Sequence, residues 1–410
     1  MGKIVITGMG TINPVGLNTA DTWQNIINGV SGVAPVTRFD MSQWKVKIAC
    51  EVKDFNPKDY MSAKDVRRRD RFEHFATVAA QEAMQDSGLE ITEENTGRVG
   101  VLVSSALGGL HSFQDSVLRL EREGPRRINP FLIPMIMPNG AAGLIGIDHG
   151  LKGPAMSVAS ACASGIDGIG LAWMMLRLGM IDAAVTGASE SVLTDAGLGA
   201  FERINALSLK KDYTMTPAPF DKNRDGLVMG EGAAILVVET ESHAKARGAN
   251  ILAELAGYSA TADAFHVTAP TADGSGGGIA IANALISAGI NVDEVGYISA
   301  HGTATPLNDL TETKAIKYAF GEQAYKVPIS STKSMTGHMM GATGALETFF
   351  CVKAIQDGIL PPTIHYETPD PECDLDYIPN QAREKKVEVA INNAFGFGGH
   401  NSVLVIRKYA

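Results

Sequence analysis

The sequence predicts an α/β protein built from two similar halves, and three observations carry that reading. Short apolar strands alternate with glycine-stopped helices along the whole chain. An Ala-rich helix followed by a strand that begins Val-Gly and ends in Ser occurs twice, at Arg71–Ser104 and again at Gly278–Ser299. A turn of small residues leading into a helix also occurs twice, once carrying Cys162 and once His338. These repeats lie too far apart for a solenoid. Two related α/β halves packed face to face, residues 1–250 and 251–410, account for them, with a site expected between the halves.

Taken in order, Lys3–Gly8 reads as a strand ending in glycine and Thr19–Gly29 as a capped helix. Arg71–Asp86 has helical periodicity and stops at Gly88, and Arg98–Ser104 reads as a buried strand. Ser164–Gly179 is the helix after the Cys162 turn. Coarse strands follow at Ala183–Gly187, Ala233–Glu239 and Ile251–Tyr258. The second half repeats the plan with the helix Gly278–Ser287, the strand Glu294–Ser299, the helix Gly341–Gly358, and strands at Val387–Ile391 and Val403–Arg407.

The chain of 410 residues has 45% hydrophobic and 20% charged residues, which excludes a disordered or fibrous protein. Its 45 acidic against 35 basic side chains leave a net charge of −10, which argues against broad nucleic-acid binding. The four cysteines show neither C-x-x-C nor metal-ligand spacing, so reduced thiols and no metal site are expected. The N-terminus runs directly into a strand without a signal-peptide pattern, and a cytoplasmic location is expected. The one uncharged stretch of membrane length before Asp148, Ile128–Ile147, holds Pro130, Pro134 and Pro138, so a buried loop and short helix are expected rather than a span.

Cys162 sits in Val158-Ala-Ser-Ala-Cys-Ala-Ser-Gly165, where small residues permit a tight turn at a helix start. The positive end of the helix is expected to favour a thiolate, although a lone cysteine is commonly an inert core residue. His301 follows a strand, at the end where α/β sites form. Lys333-Ser-Met-Thr-Gly-His338 places a cation and a second imidazole just before a helix. Each histidine alone also fits core packing. The glycine-rich Asn392–Asn401 turn can aim a backbone N–H at an oxyanion, or serve as an ordinary hairpin with a packed Phe397. Gly8-Met-Gly10 lacks the third glycine of a dinucleotide fingerprint, and no phosphate loop is present.

Ser-Ala-Cys162-Ala-Ser-Gly, His301-Gly-Thr-Ala-Thr-Pro-Leu-Asn-Asp309, Lys333-Ser-Met-Thr-Gly-His338 and Gly-Phe397-Gly-Gly-His-Asn401 together resemble the β-ketoacyl-acyl-carrier-protein synthases, nearest the synthase II branch, over essentially the whole chain. The resemblance implies the thiolase fold, a duplicated α-β-α-β-α layering with two mixed five-stranded sheets, and a homodimer. It implies a decarboxylating condensation that lengthens an acyl chain by two carbons on acyl carrier protein, with no cofactor beyond the carrier's phosphopantetheine.

It further implies Cys162 as the acyl-accepting nucleophile, His301 and His338 as the decarboxylation pair, and Lys333 as their electrostatic support. Thr303 and Thr305 would contact the phosphopantetheine arm, while Leu107 and Phe201 would line the acyl path. Phe397 and Gly398 would gate the pocket, with the N–H groups of Cys162 and Phe397 as the oxyanion hole. Asp309 and Glu347 would support the site, Glu347 through Lys333. Lys64, Arg67, Arg68, Arg126 and Arg127 are the candidate landing patch for an acidic carrier. Asn205 and Ala218 stand where several relatives carry basic residues, and His400 where some carry Thr. A polyketide ketosynthase and a non-catalytic partner that shapes chain length are the alternatives; the second commonly lacks the nucleophile that this chain keeps.

Overall fold

The computed structural model describes residues 2–410. The principal elements of the first half are β1 (Ile4–Ile12), α1 (Arg71–Ser87), β2 (Val99–Ser104), β3 (Ala155–Met156), α2 (Ser164–Arg177), β4 (Ala183–Glu190) and β5 (Gly232–Thr240). Those of the second are β6 (Ala253–Ala262), α3 (Ser275–Ala288), β7 (Tyr297–Ser299), α4 (Pro306–Phe320), β8 (Ile329–Ser330), α5 (Thr343–Asp357), β9 (Val389–Gly396) and β10 (His400–Arg407).

The strand order is β3-β2-β4-β5-β1 in the first half and β8-β7-β9-β10-β6 in the second. In both, the first three strands of that order run parallel and the last two pair antiparallel. The two orders correspond strand for strand. The sheets are not separate, however. An antiparallel pairing of Val5 with Glu254 and Ile6 with Ala253 sews β1 to β6, so the ten strands form one continuous ladder.

Layering follows from where apolar side chains go. One core cluster joins Ile166, Ile169 and Leu176 of α2 with Phe349, Phe350 and Val352 of α5 and with inward residues of both half-sheets. A second packs α1, through Phe72, Phe75 and Ala79, on the outer face of the first half-sheet. A third packs α3, through Ala280, Ile281 and Ala284, on the outer face of the second. The result is helix, sheet, helix pair, sheet, helix, the thiolase-like arrangement the resemblance implied.

Local chemistry sets the helix ends. Asp70 accepts from Phe72 N–H while Glu73 reaches back to Asp70 N–H, a capping box for α1, and Gly88 closes it in the left-handed region. The uncharged Ile128–Ile147 stretch breaks into short helices, Leu132–Ile136 and Gly140–His149. No described helix is long and apolar enough to cross a membrane. The helices missed in sequence include Leu110–Glu123, Asp195–Arg203 and α4; Pro306 at the start of α4 was an available signal. The strand expected from Glu294 begins only at Tyr297, because Val292–Glu294 forms a capped 3₁₀ turn.

Candidate active site

Both central helices begin with the same device. A 3₁₀ turn, Ala161–Ala163 before α2 and Met340–Ala342 before α5, opens on a non-glycine residue in the left-handed region, Ala161 at φ 51° and Met340 at φ 46°. Such conformations are costly for residues with a Cβ and persist where the surrounding packing holds them. In the first half the kinked turn presents Cys162. In the second it begins two residues after His338.

His338 is pinned by the other half of the molecule. Its N–H donates to the Val228 carbonyl at 2.7 Å, and its carbonyl accepts from Gly230 N–H at 2.8 Å. Its Nδ1 lies 3.1 Å from Thr343 Oγ1, and its Nε2 lies 3.1 Å from Cys162 Sγ. His301 stands just beyond the end of β7, its ring edge-on to that of His338 with centroids 5.3 Å apart. The sulfur and one nitrogen of each imidazole fall within 4.8 Å of one another. These groups face a cavity of about 310 Å³ also lined by Phe201, Thr303, Thr305 and Phe397. A wider surface depression near Tyr213 and His365 contains none of them.

The electrostatics differ from the sequence expectation for sulfur. Burial pushes the Cys162 thiol up to about 11; Lys333 and the backbone N–H groups of Phe397 and Cys162 pull the other way without overcoming it. The helix start therefore does not deliver a resting thiolate. Burial first, then the positive charge of Lys333, holds both imidazoles well below their ordinary range, and His338 lowers His301 further. Both rings are neutral at neutral pH. Lys333 donates to Glu347 at 2.6 Å, each side chain only 1% exposed, and burial pushes the Glu347 carboxyl up to about 7.

The remaining predicted residues divide. Thr303 and Thr305 hydroxyls are 2.9 Å apart at the cavity wall. Phe397 stacks on Phe201 with centroids 6.3 Å apart. Gly398 does not point its N–H at the sulfur, since it donates to the Val267 carbonyl at 2.6 Å; its φ of 88° makes it a turn residue of the β9–β10 hairpin. Asp309 accepts from Phe220 N–H at 2.8 Å and lies 3.8 Å from Arg224 Nε, and it also takes a backbone hydrogen bond from Ala304 in the His301 loop. Leu107 is about half exposed outside the cavity. His400 is exposed against Gly398. Asn205 borders the cavity and Ala218 is buried. Lys64, Arg67, Arg68, Arg126 and Arg127 are all exposed. Asn129, from the second basic segment, donates to the Arg67 carbonyl at 3.3 Å, and Arg68 lies over the Phe131 ring, so the two segments form one surface.

Three buried carboxylates escaped the sequence reading. Glu312 of α4 accepts from His301 N–H at 2.8 Å, Gly302 N–H at 2.7 Å and Asn393 at 3.2 Å, fixing the histidine loop. Its place three residues beyond Asp309, one helical turn on, was the available signal. Glu190 ends β4 and accepts from Ser105, Ala106 N–H and Gly341 N–H. Asp167 accepts three hydroxyls drawn from both halves. No local motif marked the last two, since Glu190's partners and two of Asp167's three are distant in sequence.

The family models that match are the beta-ketoacyl synthase N-terminal domain over residues 1–244 and its C-terminal domain over residues 252–367. The chain is 46% identical over 407 residues to a 3-oxoacyl-[acyl-carrier-protein] synthase 2 of Staphylococcus aureus (strain COL), covering 99% of this chain and 98% of the relative. It is 46% identical over 408 residues to the protein of the same name in Synechocystis, again covering 99% and 98%. Among solved structures it is similar to a type II polyketide ketosynthase in complex with its acyl-carrier protein, at 35% identity, and to a beta-ketoacyl synthase from Burkholderia phymatum, at 33%. In each case the TM-score is 0.93 and both chains are fully covered.

Proposed function

Because the chain belongs to the beta-ketoacyl synthase family, we propose that it catalyses the reaction of a 3-oxoacyl-[acyl-carrier-protein] synthase 2, an acyltransferase that condenses an acyl chain with malonyl-acyl carrier protein and releases CO₂. The observation that carries this reading is the convergence of Cys162 from one half with His301 and His338 from the other, all within 4.8 Å.

Cys162 Sγ attacks the acyl thioester. The new carbon–sulfur bond replaces the one to phosphopantetheine, and the cysteine proton leaves on the departing thiol. Negative charge on the carbonyl oxygen meets the N–H groups of Cys162 and Phe397. Malonyl thioester then loses CO₂, and the electron pair of the broken carbon–carbon bond becomes an enolate whose charge lies on the thioester oxygen. Two neutral imidazole N–H donors stabilise that oxygen without protonating the carbon that must react. With Thr343 donating to Nδ1 of His338, Nε2 carries the hydrogen and faces the pocket. The enolate carbon attacks acyl-Cys162, a carbon–carbon bond forms, and the released sulfur takes up a proton.

The same three atoms have the spacing of a metal site. The reading invokes no metal and no redox cofactor, since the ammonium of Lys333 already acts on all three groups and would repel a second cation. Lys64, Arg67, Arg68, Arg126 and Arg127 form the landing patch for carrier protein, local positive charge on a chain of net charge −10. The protein works as a homodimer in the cytoplasm. Exposed Phe113, Val117 and Leu120 on the helix Leu110–Glu123, with Ile133 and Met156, support a face covered by a second copy. The higher identity to the 3-oxoacyl synthases favours fatty-acid over polyketide substrates.

Incubation with acyl-carrier protein and intact-mass analysis tests the reading. An acyl adduct on Cys162, discharged by malonyl-carrier protein with CO₂ release, is expected. No adduct would leave only the non-catalytic alternative.

A further inference from the structure

The two oxyanion donors belong to different halves: Cys162 N–H to the turn before α2, Phe397 N–H to the hairpin between β9 and β10. Something must hold these backbones in register to a few tenths of an ångström, because a donor displaced by about 1 Å loses much of its value. Their approach is already tight. A Cβ on Gly396 would sit 3.0 Å from both Cys162 N and Ser160 O, so glycine there lets the strand touch the nucleophile turn without displacing it.

Asp167, in the first turn of α2, lies beneath this contact. Its Oδ2 accepts the hydroxyl of Ser160, two residues before Cys162. Its Oδ1 accepts the Tyr258 phenol of β6 at 2.8 Å and the Ser402 hydroxyl of β10 at 2.5 Å. Ser160, Asp167 and Ser402 are buried, and the Tyr258 ring lies over Gly170, where a Cβ would sit 2.4 Å from it. The carboxylate thus links the turn that holds one oxyanion donor to the strand whose hairpin holds the other. It touches neither the sulfur nor the imidazoles.

We propose that Asp167 is a positioning residue: with Ser160, Tyr258 and Ser402 it clamps the two halves of the oxyanion hole together, and so governs acyl transfer without governing the reactivity of the cysteine itself. This rests on Cys162 and Phe397 supplying the oxyanion donors. Burial first, then Lys333, the Phe397 and Cys162 backbone and Glu190, set the Cys162 thiol; Asp167 reaches the nucleophile turn through the Ser160 hydroxyl, so its loss acts on geometry.

Two reactions of one sulfur separate these roles. Acyl transfer from a thioester builds negative charge on a carbonyl oxygen, whereas alkylation by iodoacetamide needs the same thiolate but no oxyanion hole. The test compares wild type, Asp167→Asn and the gentler Tyr258→Phe/Ser402→Ala double variant, measuring single-turnover acylation of Cys162 by acyl-carrier protein and alkylation of Cys162 by iodoacetamide. The expected result in both variants is acylation slowed roughly tenfold to a hundredfold through kcat, with KM unchanged. Alkylation is expected to stay within about twofold of wild type. Acylation at the wild-type rate in the double variant would overturn the proposal, as would acylation and alkylation falling together. If wild type itself forms no acyl-Cys162, the functional reading fails and the clamp with it; if wild type acylates and the variants match it, the clamp alone fails.

Discussion

Nε2 of His338 stands 3.1 Å from Sγ of Cys162, although the two residues belong to opposite halves of a duplicated fold. Each half brings its residue to the meeting point on the kinked approach to a central helix. The division of labour follows from that geometry: one turn supplies sulfur, the other an imidazole, and His301 completes the set from a strand end. Replacing Cys162 by Ala removes the proposed acyl acceptor while leaving both imidazoles in place. Condensation is expected to fall to background with no adduct by intact mass, and an acylated Cys162→Ala protein would refute the nucleophile.

His338→Ala removes one of the two proposed donors to the enolate oxygen. Decarboxylation of malonyl-carrier protein is expected to fall by roughly a hundredfold to a thousandfold, about 3 to 4 kcal/mol, while some acylation of Cys162 survives. Labelled CO₂ release measures the first and intact mass the second. Unchanged CO₂ release would take His338 out of the mechanism.

Because burial holds the Cys162 thiol up at about 11, its thiolate fraction is small at neutral pH and grows with pH. Alkylation of Cys162 by iodoacetamide is expected to accelerate about tenfold per pH unit from 7 to 9 without levelling off. A plateau near pH 7 would restore the low-pKa thiolate expected from the helix start.

Lys333 and Glu347 form an ion pair closed to solvent. Lys333→Met strands the carboxylate and is expected to destabilise the fold by about 3 to 5 kcal/mol in urea unfolding. Adding Glu347→Leu should return much of that stability without returning activity, and equal losses in the single and double variants would contradict the pairing.

Arg67→Glu with Arg127→Glu reverses charge on both segments of the basic surface. KM for the carrier-borne substrate is expected to rise roughly tenfold with kcat held, and wild-type KM to rise with added salt. Insensitivity to both would move the landing patch elsewhere.

Much of this was legible in the chain because the signals were local. The repeated helix–strand and turn–helix units mark the duplication, and the small residues around Cys162 mark the turn. What stayed hidden depends on distance in three dimensions. The seam between β1 and β6 rests on two residue pairs nearly the length of a half apart in sequence. Asp167, Glu190 and Glu312 look like ordinary acids until folding brings them their donors. The thiol's ionisation reversed for a related reason: the helix start is a local feature, but burial is set by packing from both halves. Asp309 carries a site motif, but its partners Phe220 and Arg224 come from the other half and could not be read from that motif.

The β1–β6 seam has a mechanical corollary. With Val5 and Ile6 hydrogen-bonded across it, the halves cannot hinge apart like a clamshell without tearing the backbone ladder. Access to the pocket therefore lies at its rim, which Phe397, Thr268, Ala269 and Pro270 line and where Gly398 N–H bonds the Val267 carbonyl. A compound lodged at that rim would close the pocket while leaving Cys162, His301 and His338 untouched.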